Sequence, residues 1–379
     1  MSWKRVAMEA VVWLAAKAAG SAKKAPSAPD SIFVLRNGDI GDLLVVTPIF
    51  QALHELYPQA RLVACVGEWN VGVLRNNPYV SEVLALNVPW HNRFVKKQGL
   101  LDAFKFLALS PALVALAERK FDLGIDILGS GLGSLLLLRL GMPYRLGVKG
   151  FAGGHSAVQQ FVEYSQFEYV GRAALRFAEL LGSKTLPSVR PQIYLSDLEE
   201  EAGERRWREN CAGFAPGQAR IVVGPGSGYA AKSWPESSYL ALLKCLVIES
   251  DARVFVVGAD QDRRFASQLA ELSPSIISLA GKLSLRETFG VVAQSDMVIC
   301  NSSMLMHVAA AFEKPAVVLL GESIESTKQH AAQWSYDSNC YILGKEEEHP
   351  TIATVPEAFA LVRRVLASLP KANWGASEQ

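Results

Sequence analysis

From Ile32 onward the chain alternates short runs rich in β-branched and aromatic residues with longer stretches of helical periodicity, and that alternation restricts the fold more than any single motif. A strand followed by a helix before the next strand is the pattern of βα units, whose parallel strands are buried on both faces under covering helices. The runs fall into two series. The first predicts strands at 32–36, 62–66, 80–86, 123–128 and 144–148, with a long helix at 100–120. After an acidic, arginine-containing stretch at 197–210, the second predicts strands at 221–223, 254–257, 276–279, 297–300 and 316–320. Two such series imply an α/β protein of two Rossmann-like, doubly wound domains, expected at 31–190 and 191–379. They are expected to face each other, with ligands held in the cleft where strand ends meet helix starts. With 379 residues, 50% of them hydrophobic, the chain has the length for two cores. Its net charge of +1 gives no reason to expect nucleic acid as a partner.

Residues 1–30 stand outside the alternation. "MSWKRVAMEAVVWLAAKAAGSAKKAPSAP" sets Lys4, Arg5, Lys17, Lys23 and Lys24 against the single acid Glu9, while Trp3, Val6, Ala7, Ala10, Trp13 and Leu14 recur at helical spacing. This predicts a basic amphipathic helix lying in a membrane interface with tryptophan as anchor, on a stretch too short to span a bilayer. A charged start before apolar and small residues is also the pattern of a cleaved secretory signal, against which Glu9 weighs; a loosely ordered extension is the plain alternative. Residues 22–29 read as a linker. The cysteines, Cys65, Cys211, Cys245, Cys300 and Cys340, are odd in number and far apart, with no C-x-x-C pair. That argues against a disulfide framework or a zinc cage and fits a reducing compartment.

Three strand-to-helix turns in the second series carry candidate chemistry. In "GPGSGYAAKSWPE", residues 224–236, the glycines, among them Gly226 and Gly228, let backbone amides approach an anion, Ser227 adds a hydroxyl and Lys232 a cation. Ser233 and Glu236 fit a capping box, as do Ser284 and Glu287, so a helix N-terminus is expected to add partial positive charge at Ser233. The loop is neither a Walker loop nor a dinucleotide fingerprint, and a plain turn is the alternative. In "NSSMLMHVAAA", residues 301–311, Asn301, Ser302 and Ser303 can cap a helix or donate to a phosphate, with His307 one turn in; an ordinary serine cap over a buried histidine is the alternative. In "VVGADQD", Gly258 ends a strand and Asp260 or Asp262 can reach a ribose hydroxyl or cap a helix.

In the first series, "NGDIGDLLVVTP" turns out of the first strand on two glycines. Asp42 falls either at the start of a helix that Pro48 kinks, or in a loop before a helix with Thr47 as cap and Pro48 at its first position. A carboxylate there is suited to taking a proton from an attacking hydroxyl. Asp39 competes with Asp42 for that role, and each could equally be a helix cap. "GSGLGS", opening at Gly129, reads as a turn lining the cleft, and His155 in "GFAGGHSA" as a loop residue placed to meet a substrate.

With these pieces in place, residues 32–369 resemble glycosyltransferase family nine, the heptosyltransferase-like enzymes of lipopolysaccharide core assembly. The resemblance is carried by "GDIGDLLVVTPIFQALHELYPQARL", "FDLGIDILG", "KSWPESSYLALL", "LAGKLSLRETFGVVAQSDMVICNSS" and "MHVAAAFEKPAVVLLG". It implies the two-domain GT-B fold, with the acceptor on the first domain and a nucleotide-sugar on the second. The implied chemistry is an inverting transfer without metal or cofactor, from an ADP-sugar with a heptose-like group to a lipopolysaccharide or other lipid-linked glycan. The implied place is the cytoplasmic face of a bacterial inner membrane, as a peripheral protein. Position by position, the resemblance makes Asp42 the general base and Lys232 the cation offsetting charge on the departing diphosphate. Ser227 becomes the hydroxyl of the phosphate loop and His307 the histidine of a D-S-G-x-x-H motif. That motif's Asp and Gly are Ser302 and Met304 here, so a carboxylate is lost and a bulkier side chain gained; Glu322 is a further unusual choice. Those departures motivate the alternative of a non-catalytic glycan-binding or scaffolding relative, with a sugar-nucleotide epimerase of similar architecture as a third reading.

Overall fold

A computed structural model describes residues 3–96, 98–210, 218–336, 339–347 and 349–369; Cys211 and the side chains of Trp3, Lys4 and Arg5 lie outside that description. The chain divides into two compact units, Met1–Tyr194 and Leu195–Gln379. The first runs α1 (Trp3–Ala19), β1 (Ser31–Leu35), α2 (Ile40–Leu44), α3 (Pro48–Leu56), β2 (Arg61–Val66), α4 (Val71–Leu74), β3 (Glu82–Ala85), α5 (Leu100–Leu109), α6 (Pro111–Ala117), β4 (Leu123–Asp126), α7 (Gly131–Arg139), β5 (Tyr144–Lys149), β6 (Gln160–Glu163) and α8 (Val170–Leu180). The second runs α9 (Asp197–Asn210), β7 (Arg220–Gly224), α10 (Glu236–Glu249), β8 (Arg253–Val256), α11 (Arg263–Ala270), β9 (Ile276–Ser278), α12 (Leu285–Ala293), β10 (Met297–Cys300), α13 (Met304–Ala311), β11 (Ala316–Leu319), α14 (Thr327–Trp334), β12 (Cys340–Leu343) and α15 (Val355–Ser368).

Each unit is built on a parallel six-stranded sheet, in the orders β3-β2-β1-β4-β5-β6 and β12-β11-β10-β7-β8-β9. In both, the chain starts at a central strand, winds to one edge, and returns on the other side of that strand. The winding therefore reverses between β1 and β4, and again between β7 and β10. At such a reversal the loops leaving the carboxyl ends of the two strands part in opposite directions, which opens the place where doubly wound sheets take ligands.

Strands β1, β4, β7, β8, β10 and β11 are buried along their whole length, which is why they read as mainly apolar runs, with charged residues confined to strand ends at Asp126, Arg220 and Arg253. The sequence pattern does not predict β6 and β12. Both are edge strands with largely half-buried side chains, so the selection for a continuous apolar run is relaxed there. The helix expected across 100–120 is two helices bent by 48°. Pro111, which has no N–H and fits the first turn of a helix, opens α6 after Ser110.

In the first unit, Phe33, Leu35, Val63 and Cys65 point to one side of the sheet, into a core shared with Leu107, Leu113 and Leu116 of α5 and α6 and with Leu132 and Leu136 of α7. Helix α1 leans on the same layer. Val12 is fully buried with Leu138 and Ala157, and Gly131 leaves room for Met8, since a Cβ there would lie 2.5 Å from its Cγ. The N-terminal segment is therefore a docked helix and part of this unit. Its docked side is Met8, Val12, Ala15 and Ala16, while Val6, Ala7, Ala10, Trp13 and Leu14, the stripe picked out by helical spacing, face outward.

The second unit carries α9 against α12 so closely that a Cβ on Gly203 would lie 2.3 Å from the Gly290 carbonyl oxygen. That contact aligns Glu199 with the buried Arg286, Nη2 to Oε2 at 2.6 Å, and this bond holds the Glu199 carboxyl down at about 2. The acidic stretch is thereby a packed helix, with Trp207 fully buried and stacked on Phe255 at 3.8 Å.

Candidate functional site

At the first reversal, β1 and β4 pair so that Leu35 lies beside Asp126 at the carboxyl ends of the two strands. Arg36, buried at the end of β1, donates from Nε to the Asp42 carbonyl at 3.0 Å and places Nη2 3.7 Å from Asp42 Oδ1. The other carboxylate oxygen of Asp42 accepts from the Asp39 amide at 3.0 Å. Asp42 thus sits in the first turn of the short helix α2, and a second helix opens at Pro48, so features of both expected geometries are present. Gly38 is required by close approach: a Cβ there would lie 2.5 Å from Asp42 Oδ2. Its carbonyl is pinned by Trp69 Nε1 and Asn70 Nδ2, each at 3.0 Å, while Asn37 Nδ2 donates to the Leu86 carbonyl at 2.7 Å. The turn is fixed by partners outside it, Trp69 and Asn70 donating in and Asn37 donating out.

Each of the two acids has its own arginine. Asp39 is engaged by Arg93, whose Nε lies 3.5 Å from Oδ2 and whose amide donates to Oδ1 at 3.4 Å, whereas Asp42 faces the buried Arg36. Beside them Asp126, unremarked in the sequence, accepts from the Ser130 amide at 2.9 Å and the Leu128 amide at 3.2 Å. Burial pushes its carboxyl up to about 6, against the pull of the Ser130 and Gly129 amides and of Arg36. Gly129 holds a left-handed turn at φ +69°, where a Cβ would meet the Val148 amide nitrogen at 2.7 Å. His155 is turned toward α1, its Nδ1 3.0 Å from Glu9 Oε1, and Glu9 also accepts from the amides of Gly154 at 2.6 Å and Ser156 at 2.8 Å. Burial raises the Glu9 carboxyl, yet those donors outweigh it and hold the group below its ordinary value.

At the second reversal the loop after β7 meets the loop after β10. Asn301, fully buried, joins them: its Nδ2 donates to the Pro225 carbonyl at 2.5 Å, and its Oδ1 accepts from the Trp234 amide at 2.8 Å and the Tyr239 hydroxyl at 3.0 Å. Its amide is therefore spent on the scaffold. Gly226 is pressed against Asp262, whose carboxylate oxygens would lie 2.6 Å from a Cβ. Ser227 Oγ donates to the Tyr229 carbonyl at 2.6 Å and meets Ser233 Oγ at 2.9 Å, and Gly228 is exposed.

The capping box expected at Ser233 does not form. Helix α10 begins at Glu236 after Pro235, and Lys232 instead ends a 3-10 turn at Ala230–Lys232. Burial of Trp234, with its amide on Asn301 and Nε1 on the Ala353 carbonyl at 2.8 Å, draws the chain away from a cap geometry. Ser284 does form its box with Glu287. The turn carrying Lys232 is gripped from the loop after β11, where the Gly321 amide donates to the Lys232 carbonyl at 3.2 Å and the Ser323 amide to the Ala231 carbonyl at 3.1 Å. Lys232 lies over the Tyr229 ring, Nζ 5.3 Å from its centroid, and makes no ion pair among the described residues. Glu322, by contrast, is paired with Lys345 at 2.9 Å.

The remaining residues are arranged around this loop. Ser303 caps α13 with a weak bond from the Leu305 amide at 3.4 Å, and Ser302 and Met304 are half-buried beside it. His307 is buried, its Nδ1 hydrogen-bonded to the Tyr336 hydroxyl and its ring 5.9 Å from that of Trp334. Gly258 again abuts Asp262, which accepts from the Ala259 amide at 2.7 Å as a local cap; Asp260 projects outward and pairs with Arg263 at 2.7 Å. His330 on α14 is a residue the sequence did not single out. Burial, aided by nearby Lys232, pushes its imidazole down to about 4. Among the described residues no group of three or more His, Cys, Asp or Glu is placed to hold a metal. An unpaired cation beside close-approach glycines and hydroxyls suits a diphosphate, and a positioned carboxylate suits proton abstraction.

A family model described as glycosyltransferase family 9 (heptosyltransferase) matches residues 113–356. Lipopolysaccharide heptosyltransferase 2 of Salmonella typhimurium is 24% identical over 314 residues, covering 77% of this chain and 83% of that protein. Among solved structures, a family 9 glycosyl transferase from Veillonella parvula superposes with a TM-score of 0.72 at 15% identity, over 91% of this chain and 99% of that one. The E. coli ADP-heptose lipopolysaccharide heptosyltransferase II gives 0.65 at 20% identity, over 89% and 98%. These likenesses identify the fold as GT-B.

Proposed function

The chain belongs to glycosyltransferase family 9, the heptosyltransferases, and from that premise we propose that it transfers a heptose-like sugar from an ADP-sugar to a lipopolysaccharide or other lipid-linked glycan, with inversion and without a metal. The observation that carries the reading is the pairing of chemistries at the two reversals: a carboxylate fixed by buried Arg36 at one, and a cation without a carboxylate partner, Lys232, at the other.

In this reading Asp42 takes the proton from an acceptor hydroxyl as its oxygen attacks the anomeric carbon opposite the leaving group. The bond to the diphosphate breaks in the same displacement, and Lys232 with the amides around Gly226 and Gly228 offsets the charge that develops on the departing oxygen. One displacement with one base inverts the anomeric configuration. Ser227, Ser302 and Ser303 supply hydroxyls to the donor, Gly258 and Asp260 border its ribose, and His307 holds the wall behind α13 through Tyr336. Asp39 with Arg93 lies on the acceptor side, as does the turn at Gly129. His155 serves that side indirectly, through Glu9 and the seating of α1. The outward stripe of α1, with Lys17 and the linker cations Lys23 and Lys24, supports contact with the cytoplasmic face of the inner membrane.

The test is transfer from ADP-heptose to a heptose-deficient lipopolysaccharide acceptor in the presence of EDTA, with the anomer of the product assigned by NMR. Transfer with inversion is expected. Failure to bind or use ADP-, GDP- and UDP-sugars alike would overturn the assignment.

A further inference from the structure

Helix α5 repeats, at a second place in the first unit, what α1 does with its outer side. Its inner side, Ala103 and Leu107, enters the core with Leu132 and Leu136 of α7, the same layer against which Met8 of α1 rests. Its outer side is apolar as well: Leu101, Phe104 and Leu109 are exposed at 67%, 38% and 73%, at the i, i+3, i+8 spacing of one helical stripe. On α1, Val6, Trp13 and Leu14 are exposed at 54%, 46% and 61%. Helices α1 and α5 both pack on α7, on the same side of the sheet. A surface helix normally turns polar residues to water, so two helices of one layer with both sides apolar require a non-aqueous neighbour.

The cations interleaved with the stripes say which neighbour. Lys17 lies over the Trp13 ring at 3.7 Å, Lys105 sits within the α5 stripe, and Lys23 and Lys24 follow α1, all exposed. Glu9, the acid of α1, is turned inward and consumed by His155 and two amides. A twofold contact between copies of this face would bring like cations together. An anionic lipid surface would neutralise them while taking up the apolar side chains. We propose that α1 and α5 together form a two-helix docking face for an anionic bilayer, α5 inserting Leu101, Phe104 and Leu109 beside the α1 stripe. The proposal extends the reading of a lipid-linked acceptor from the N-terminal helix to a second, separate element.

The test is co-sedimentation of the full chain with phosphatidylcholine vesicles, with and without phosphatidylglycerol. The wild type is expected to bind the anionic vesicles and to lose binding at high salt. The triple variant L101S/F104S/L109S, altered only at exposed side chains, is expected to lower the partition coefficient at least about tenfold with unchanged melting. Lys105→Glu should weaken binding to anionic vesicles alone. Unchanged partitioning of the triple variant would overturn the proposal, as would a wild-type dimer that the variant dissolves without any vesicle binding. Turnover on a glycan acceptor stripped of lipid separates this proposal from the functional reading. The triple variant should keep that turnover, whereas a wild type that binds vesicles yet transfers no sugar would sink the function and leave the docking face standing.

Discussion

The two reversal loops solve opposite problems with the same topology. In the first unit the charge of Asp42 is met by the protein itself, through the buried Arg36 guanidinium and the Asp39 amide. In the second, the backbone carrying Lys232 is gripped from two sides while its ammonium is left without a carboxylate. On the proposed mechanism, the difference separates a group held ready to react from a group whose counter-charge arrives with a ligand. A base benefits from being positioned before the substrate comes, and a cation kept unpaired loses nothing to a competing internal ion pair when a diphosphate binds.

That contrast can be broken most directly by turnover. Asp42→Asn keeps the shape of the side chain and removes its basicity, and kcat should fall about a thousandfold with little change in donor affinity. Lys232→Met should lower kcat about a hundredfold and weaken donor binding as well, since the lost cation faces both bound and departing diphosphate. If the two variants gave the same split between kcat and KM, the division of labour would fail. Calorimetry sharpens it further. ADP at one hundred times its Kd should stabilise the wild type by about 2.7 kcal/mol. Asp42→Asn should keep that gain and Lys232→Met should lose most of it.

The smallest effect is on pH dependence, where the two units should respond with opposite sign. The Asp126 carboxyl is raised by burial from 3.8 to about 6, so its contribution to stability is complete below 3.8 and lost as pH rises through about 6. The His330 imidazole is lowered by burial from 6.5 to about 4, so its contribution is complete above 6.5 and lost as pH falls through about 4. Melting temperatures of Asp126→Asn and His330→Gln measured across that range should diverge from the wild type at opposite ends. Parallel curves would show that the two groups do not titrate as their surroundings dictate.

How much of this was legible in the sequence depended on how local the cause was. Strands β1, β7, β10 and β11 announced themselves because burial on both faces demands a mainly apolar run, while the edges β6 and β12 carry no such demand. The two S-x-x-E patterns make the point at single-residue scale. Ser284 caps its helix as the pattern predicts, but Ser233 is overruled by the burial of Trp234 and by Asn301, partners distant in sequence. The GD motif and Lys232 were visible as chemistry; Arg36, Asp126 and His330 were not, because an arginine at a strand end, an aspartate before a glycine turn and a helical histidine acquire roles only through what folding brings beside them. The stripe of α1 picked out by helical spacing is exposed, while its opposite side is seated on α7, a contact that no local pattern in the helix announces.

The Asn301 staple has one more consequence. A carboxylate in its place would still accept from Trp234 and Tyr239 but could donate to the Pro225 carbonyl only when protonated, so the junction would loosen as the acid ionised. A carboxamide does not titrate, and neither do the Pro225 carbonyl and the Trp234 amide it joins, so that seat for the segment leading out of Lys232 carries no protonation switch of its own. Heat can shake that junction apart; a change in the protonation of Asn301 cannot.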